Sequence, residues 1–583
     1  MSSLKDLASL IMVPSLYKDG RLDTVKPLGN GILHPDSTGN NDGTDGSTPA
    51  EGNFTFSRGS NLAATRVDVN GLIEKGRENL LPYSNTFDQW SPTAGTFTQG
   101  VIDPFGGNTA WSWTASNTDP YIYNQTSGSG VYTLSIWAKG VGSTIGKDFE
   151  FRLGGAVQSF TLTSDWQRFE LYVNGSFANI GFEVGNPAVA GDVVHIYGAQ
   201  LELGLVATDY IETGTSAAQS GILEDMPRLD YSGGASCPSL LLEPQRSNLL
   251  PNSEYFGAWN NTSYPVTITS NAATSPDGNT NATLITPTSG NDRHAIREIN
   301  VVAIAGTTYT LSAFFKKAGS RYVVFGDSGD NLWRLVTADL DEGTITNETN
   351  ATGTIEPYAN DWYRITCTFT RNNPPTIQTF LGASPNDTNI AAPSFDNTSL
   401  TTYVYGAQVE ASSSYPTSYI PTYGSSVTRS VEFTTLDNMQ SKGITDSGAY
   451  SCFFDLSQEP DGAFSGDNSQ ILNFNGTSGT IISVRKYYGV QEGRLRFYSN
   501  LDVQNIAYLN TDNKKWCMVV NDKEVKIYSN GFLKYTSNLT NSQNGLNYIS
   551  VTSGSAERTS TNYSSLLVFP TALTDAEATA LTE

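Results

Sequence analysis

The chain has 583 residues, 38% of them hydrophobic, and 57 acidic against 34 basic side chains give it a formal net charge of -23. That balance argues against a nucleic-acid-binding surface, and three histidines (His34, His195, His294) cannot build a His-rich metal site. No apolar run reaches the roughly 20 residues of a membrane-spanning helix, and the N-terminus lacks the basic-then-apolar order of a signal peptide.

Gly, Tyr, Phe, Thr, Ser and Asn are abundant, and this favours strands and turns over helices. Cys237, Cys367, Cys452 and Cys517 are scattered without metal-type spacing. They read as free thiols of a chain made in a reducing cytosol.

Near the start, Leu4, Leu7, Leu10 and Ile11 fall close to helical spacing before Pro14. A short helix and a strand fit equally well. The stretch 29–52 is Gly/Asp/Ser/Thr/Pro-rich and reads as an exposed loop. Phe54 to Arg58 alternates as a strand does. Residues 64–68 and 72–74 flank Asn70-Gly71, which predicts a small hairpin.

The middle of the chain is written twice. Arg77-x-Asn79-Leu80-Leu81-Pro82-x-Ser84 with Phe87 and Trp90 returns as Arg246-x-Asn248-Leu249-Leu250-Pro251-x-Ser253 with Phe256 and Trp259. Tyr132-Thr133-Leu134-Ser135 answers to Tyr309-Thr310-Leu311-Ser312, and Trp166-x-Arg168 to Trp362-x-Arg364. Tyr197-Gly198-Ala199-Gln200-Leu201-Glu202 answers to Tyr405-Gly406-Ala407-Gln408-Val409-Glu410. Ordered matches in one direction predict two copies of one all-β module. Residues 132–139 alternate apolar with polar or aromatic side chains, so one face is expected on the core and one in water. Short strands at near-regular spacing suit a sandwich or jelly roll.

A third unit follows. Val525 and Ile527 point one way and Lys526 and Tyr528 the other, ahead of an Asn530-Gly531 type I′ turn. Thr574 with Glu577 forms a capping box for a short C-terminal helix.

Two resemblances attach to these residues. Leu7 to Gly20, Phe54 to Arg58, Ala64 to Val67, Gly71 to Glu74 and Pro227 to Tyr231, with Cys237 to Leu249, resemble virion proteins of tailed bacteriophages. In that family the pieces at 71–74 and 227–231 sit close together. Here the first module separates them, as an inserted duplicate would. The paired modules resemble jelly-roll carbohydrate-binding modules. The Trp516, Val525, Tyr528, Asn530-Gly531 strand pair and the tail at 573–581 resemble the laminin-G-like, concanavalin-A-like sandwich.

The expected fold is therefore all-β: tandem β-sandwiches, two jelly rolls plus a concanavalin-like sandwich, behind a small N-terminal attachment segment. The expected bounds are an attachment segment at 1–75, jelly rolls at 76–220 and 245–430 joined by a connector at 221–244, and the lectin-type unit at 431–583.

Flat rings stack on the apolar face of a pyranose while polar neighbours orient its hydroxyls. Rings cluster at Trp111, Trp113, Tyr121 and Tyr123, and at Tyr322, Phe325 and Trp333. Recurring Trp90, Trp166, Trp259 and Trp362 read as scaffold, which leaves Trp113, Tyr121 and Trp333 as candidate glycan contacts. Asp327, Asp330, Asp461 and Asp467 stand in Gly/Ser/Asn-rich stretches. Calcium is the cation such oxygen-rich loops would hold, with Asp461 and Asp467 as candidate ligands, against the plainer reading of solvated turn aspartates. No nucleophile elbow, zinc-protease motif, P-loop or local carboxylate pair is present, so no enzymatic activity is expected.

The resemblances imply a virion protein made in the host cytoplasm, a fibre or surface appendage that binds host glycans. Other virion proteins and further copies of the chain, as a trimer by analogy, are its implied partners, with neither nucleic acid nor membrane insertion among them. The alternatives are a purely structural head-decoration or tail protein and a secreted carbohydrate-active enzyme.

Overall fold

The structure, a computed structural model, describes residues 8, 10–12, 14, 27–28, 32–33, 55–57 and 63–583 except 93, 185–187, 224–225, 330–331, 374–375, 388–392, 437–438, 440–447, 462–467, 477–478, 488–493, 503, 511–513 and 553–559. It is an all-β, antiparallel molecule with one α-helix, Asp575–Thr582, among the described residues. Six large sheets pair face to face as three sandwiches.

In the first sandwich one sheet runs in the spatial order Thr96–Val101, Ala110–Thr114, Val193–Leu203, Gly128–Val141, Gln167–Phe177. The other runs Ser91–Pro92, Tyr121–Asn124, Ile180–Val184, Asp148–Leu153, Ala156–Thr161. Leu134, Ile136 and Ala138 from the first sheet meet Phe149, Phe151 and Phe182 from the second, all fully buried. That is the inward half of the alternation expected for residues 132–139. The other half is not in water as expected, because Thr133 and Ser135 are fully buried, bonded to the Gly204 carbonyl and to Arg168.

The second sandwich repeats the arrangement. Its first sheet runs Val266–Ala273, Ala282–Pro287, Thr402–Ala411, Thr307–Lys317, Trp362–Arg371, with Thr352–Tyr358 added at the edge. Its other sheet runs Ala295–Val302, Thr376–Ser384, Tyr322–Asp327, Arg334–Asp339, Thr344–Thr349. Apart from edge strands the two sandwiches have one strand order, so the doubled sequence is a doubled topology.

The recurring side chains explain why. Asn79 donates to the carbonyls of Ala199 (3.2 Å) and Ile211 (2.8 Å) and accepts from Leu81 and Leu201. Asn248 donates to Ala407 (3.1 Å) and Ile420 (2.8 Å) and accepts from Leu250 and Val409. Gln200 and Gln408 each accept the amide of an isoleucine, Ile211 or Ile420, at 2.7 Å. In both copies the entering strand, the last strand and the tail are sewn together by buried polar groups whose partners are all supplied locally.

Both last strands are kinked at a glycine in left-handed conformation, Gly198 (φ 62°) and Gly406 (φ 57°), where the ladder slips by one residue. This bulge turns Tyr197 and Tyr405 outward while Ala199 and Ala407 stay on the core.

The third sandwich is assembled from scattered pieces. One sheet orders Arg228–Asp230, Ser239–Leu242, Ser560–Phe569, Ala449–Asp461, Lys515–Asn521, Glu524–Ser529, Phe532–Asn538, with Leu10–Met12 also on Ser560–Phe569. The facing sheet ends with Leu546–Thr552, Phe433–Leu436 and Thr55–Ser57. Met12, Leu229, Leu240 and Leu242 lie in the same core as Phe454, Trp516, Val525 and Ile527. The bounds expected from sequence therefore need correction. Within 1–75, the strands Leu10–Met12 and Thr55–Ser57 belong to the C-terminal sandwich, and the connector 221–244 supplies two of its strands. The cause is edge pairing: these short strands cover backbone that would otherwise be an open edge.

Other expectations hold locally. Thr65–Val67 and Ile73–Lys75 pair as the hairpin around Asn70-Gly71. Asn530 and Gly531 both have positive φ, as a type I′ turn requires. Thr574 and Glu577 cap the helix reciprocally, and Leu581 and Ala578 press it onto Tyr528, Cys517 and Phe569. Tyr528 thus faces away from Val525 but is covered by the helix.

The sandwiches meet at a buried ion cluster. Arg228, fully buried, donates to both Glu432 oxygens, to the Thr65 carbonyl (2.8 Å) and to Ser418 (2.6 Å), and sits 2.8 Å from Glu243. Arg429 lies 3.1 Å from Glu243. Burial alone would raise the Glu243 carboxyl, but Arg429 and Arg228 outweigh it and hold it at about 2, below its ordinary 4.5. Because its folded value lies below its unfolded value, this stabilisation is complete above about pH 4.5 and is lost as pH falls towards 2. Calorimetry from pH 7 to 2 should show the melting temperature dropping across that interval. Arg228→Ala, which removes the cation that Glu243 and Glu432 share, should cost about 3–5 kcal/mol and lower the melting temperature already at pH 7.

Candidate functional site

Aromatic side chains gather on the outer face of the first sandwich's Val193–Leu203 sheet. Trp137 and Tyr197 are cross-strand partners there, with ring centroids 6.0 Å apart. Tyr210, from the tail that follows the last strand, stands 6.0 Å from Trp137 and 5.5 Å from Tyr197, its hydroxyl 2.7 Å from Ser84. Phe105 projects from the loop between two strands and meets Trp137 (5.5 Å) and Tyr197 (5.9 Å) edge-on while 70% exposed. The Arg168 guanidinium stacks 4.3 Å from the Trp137 centroid, and its hydrogen bonds to Thr208 and Ser135 lock it in place.

One strand step further lie Lys139 and His195, again cross-strand partners, beside Trp166. The Lys139 ammonium is 5.1 Å from the Trp166 centroid and the His195 ring 6.4 Å from it. Burial, then the Lys139 charge, lowers the His195 imidazole below its ordinary 6.5, which favours its neutral form. Trp137, Tyr197, Tyr210, Trp166, Lys139 and His195 are each half-buried: fixed in place yet open to solvent.

The second sandwich holds the matching face, and there it is closed. Phe314, Tyr405 and Tyr419 repeat the triangle at 5.9, 6.0 and 5.7 Å, with Tyr419 bonded to Ser253 as Tyr210 is to Ser84. On it lies the hairpin 65–75. Ile73 packs against Phe314, Trp362, Tyr405 and Tyr419, and Thr65 donates to the Tyr419 carbonyl at 2.5 Å. Lys75 reaches Glu254 (3.0 Å), Asp277 (2.7 Å) and the Tyr405 hydroxyl (3.0 Å). Burial would lower the Lys75 ammonium, but Asp277 and Glu254 outweigh it and hold it well above its ordinary value. Asp277 is held at about 2, where Lys75 overcomes the effect of burial.

The loops correspond one to one. Asp103 to Thr109 and Ser275 to Asn281 make the same turn, with the first residue's amide bonded to the fifth residue's carbonyl at 2.9 and 2.8 Å. Phe105 in the open copy thus occupies the position of Asp277 in the closed one, and Asn85 that of Glu254.

The residues expected from sequence fall elsewhere. Trp113 is fully buried and stacked on Phe97 in the core, where no sugar reaches it. Its strand position faces inward, which aromatic clustering alone does not reveal. Trp111 and Phe325 are core as well. Tyr121 is half-buried beside Tyr123 on the first sandwich's other sheet, near Arg152 with its partners Glu150 and Glu183. Trp333 lies on the second sandwich, edge-on to Phe380 at 5.3 Å. The fold does not bring these three rings together.

Recurring Trp90, Trp259 and Trp362 are buried scaffold, but Trp166 is half-buried at the rim of the open face. Sequence reasoning passed over Phe105, Trp137, Tyr197 and Tyr210. The signal was present in Phe105, an apolar ring at the tip of an Asp-Pro-Phe-Gly-Gly turn.

Asp327 is not a loop residue. It ends a strand, fully buried, between Arg334 and Arg371, so it has no place for calcium. Asp461 ends the strand Ala449–Asp461, while Asp330 and Asp467 lie outside the described residues. Among the described residues no group of three or more metal-ligating side chains occurs. His294 is buried and bonded to the carbonyls of Pro265 (2.7 Å) and Phe395 (2.9 Å), a structural role.

No family model and no curated relative matches the chain. Among solved structures it is similar to the N-terminal CBM22-1-CBM22-2 tandem domain of Paenibacillus barcinonensis Xyn10C, with 13% identity, 60% of this chain and 98% of that chain covered, and a TM-score of 0.21.

The closed face makes its own prediction. Lys75→Ala leaves Glu254 and Asp277 buried without their cation, at a cost of about 3–5 kcal/mol. Hydrogen exchange should show residues 65–75 losing protection first.

Proposed function

We propose that this chain is a non-enzymatic glycan-binding protein whose site is the open aromatic face of the first sandwich. Following the resemblance of its sequence to tailed-phage virion proteins, it serves on a particle as a fibre or surface appendage, with other virion proteins as neighbours and host glycans as ligands. The observation that carries the reading is the open face itself. Phe105, Trp137, Tyr197 and Tyr210 make a solvent-facing cluster of rings packed edge to face, with polar groups at its rim, an arrangement that can receive a sugar ring. A matching face on the same chain is filled by an aliphatic and cationic side chain, so such a face has value as a docking surface. In this reading the protein holds its ligand and does not turn it over, and weak single sites add up through several copies.

A structural surface protein is the second reading. The edge strand Phe532–Asn538 exposes Phe532, Leu533 and Tyr535, the kind of edge that pairs with another chain.

Binding of the purified chain to immobilised glycans tests the first reading. Phe105→Ala removes an exposed ring and should change stability by less than about 0.5 kcal/mol. Phe105→Ala and Trp137→Ala should each weaken binding by roughly tenfold, about 1.4 kcal/mol, while Trp333→Ala leaves it unchanged. Full binding by the Phe105→Ala/Trp137→Ala double variant would put the site elsewhere, and absence of all binding would favour the structural reading.

A further inference from the structure

We propose that the open face of the first sandwich selects an anionic saccharide, its ring on Trp137, Tyr197 and Phe105 and its acidic substituent at Lys139. This rests on the glycan reading of that face and adds the charge of the ligand.

The internal duplication supplies the control. The closed face holds a cation, Lys75, and answers it with two carboxylates, Glu254 and Asp277. In the open copy those positions are Asn85 and Phe105. Asn85 is spent on the scaffold: it donates to the Thr109 carbonyl and accepts from the Gly198 amide, both at 3.2 Å. The two carboxylates that clasp Lys75 are therefore missing at their own positions, although Asp103 stands where the closed copy has Ser275.

Its rim is basic instead. Lys139 has no ion-pair partner among the described residues. Its counterpart Lys316 donates to the Asn360 carbonyl at 2.8 Å, whereas Lys139 rests over the Trp166 ring. Opposite them stand His195 in the open copy and Tyr403 in the closed one. The His195 Nδ1 atom is buried and without a partner.

The nearby acids act elsewhere on the face: Asp103 and Glu212 bear on Tyr197, Glu202, Glu170 and Asp209 on Arg168, and none of them is an ion-pair partner of Lys139. Asp103 is filled by the amides of Phe105 (2.9 Å) and Gly107 (3.0 Å) and by Thr109. Glu202 and Glu170 are bonded to the tail at Thr208 and Ala207. Glu212 and Asp165 are exposed, where water and salt screen them. Lys139 lies two residues along the strand from Trp137, roughly 7 Å. That is about one pyranose width, the offset between a stacked ring and an acidic substituent at its edge. On a chain of net charge -23 an acidic polymer needs such a local cation to approach at all.

The test uses the full-length chain and acidic oligosaccharides (hexuronate, sialylated, sulfated), each paired with a neutral counterpart, by calorimetry in 0.15 M salt. The expected result is an acidic member bound at least tenfold tighter than its neutral pair. Lys139→Gln should erase that preference and Lys139→Arg keep it, at unchanged melting temperature. Neutral members bound as well as acidic ones would overturn the charge assignment and leave the glycan reading standing. No member bound at all would overturn both.

Discussion

Arg228 is a guanidinium taken wholly out of water and set against Glu243 and Glu432, with Thr65 and Ser418 completing its donors. Four distant parts of the chain converge on it: the hairpin, the connector between the two copies, the tail of the second copy, and the entry to the last sandwich. Two buried carboxylates with Arg429 as their one remaining arginine would be costly in so dry a site. The pairing therefore dictates how the sandwiches are joined. It also anchors the strands Arg228–Asp230 and Ser239–Leu242, which join the sheet of Ser560–Phe569. The ends of the chain complete a unit whose middle has been interrupted twice.

The same logic operates one level down, inside each copy. Buried Asn, Gln, Glu and Arg side chains tie the last strand to the tail in both sandwiches with matching hydrogen bonds. Because that scaffold is constant, substitutions on the outer face are free to change what lies there. Two exchanges bear directly on Lys75: Asn85 against Glu254, and Phe105 against Asp277. With two acids the face clasps Lys75 and becomes an internal joint. With an amide and a ring it stays open to whatever approaches from solvent.

Sequence reading went furthest where the information is local or periodic. The hairpin at Asn70-Gly71, the Asn530-Gly531 turn and the Thr574–Glu577 cap follow from short-range backbone chemistry, and each is present. Alternation at 132–139 predicted which side chains face the core. It went astray where the outcome depends on partners far along the chain. Trp113 reads as an exposed ring until its strand is paired, and then it faces Phe97 and the core. Asp327 reads as a turn aspartate until Arg334 and Arg371 close on it. Trp166 and Trp362 recur alike, yet one is at a solvent rim and the other under a hairpin.

By itself, then, the sequence determined an all-β chain, a module written twice, and which residues recur in each copy. Those properties are carried by alternation, turn residues and repeated polar side chains that act within a few residues or within one copy. Only the tertiary structure decided that the N-terminal strands and the connector belong to the last sandwich. It alone decided that one of two equivalent faces is filled while the other is bare. Both outcomes depend on which sheet edge or surface a distant segment reaches first and buries best, and chain proximity carries no record of that.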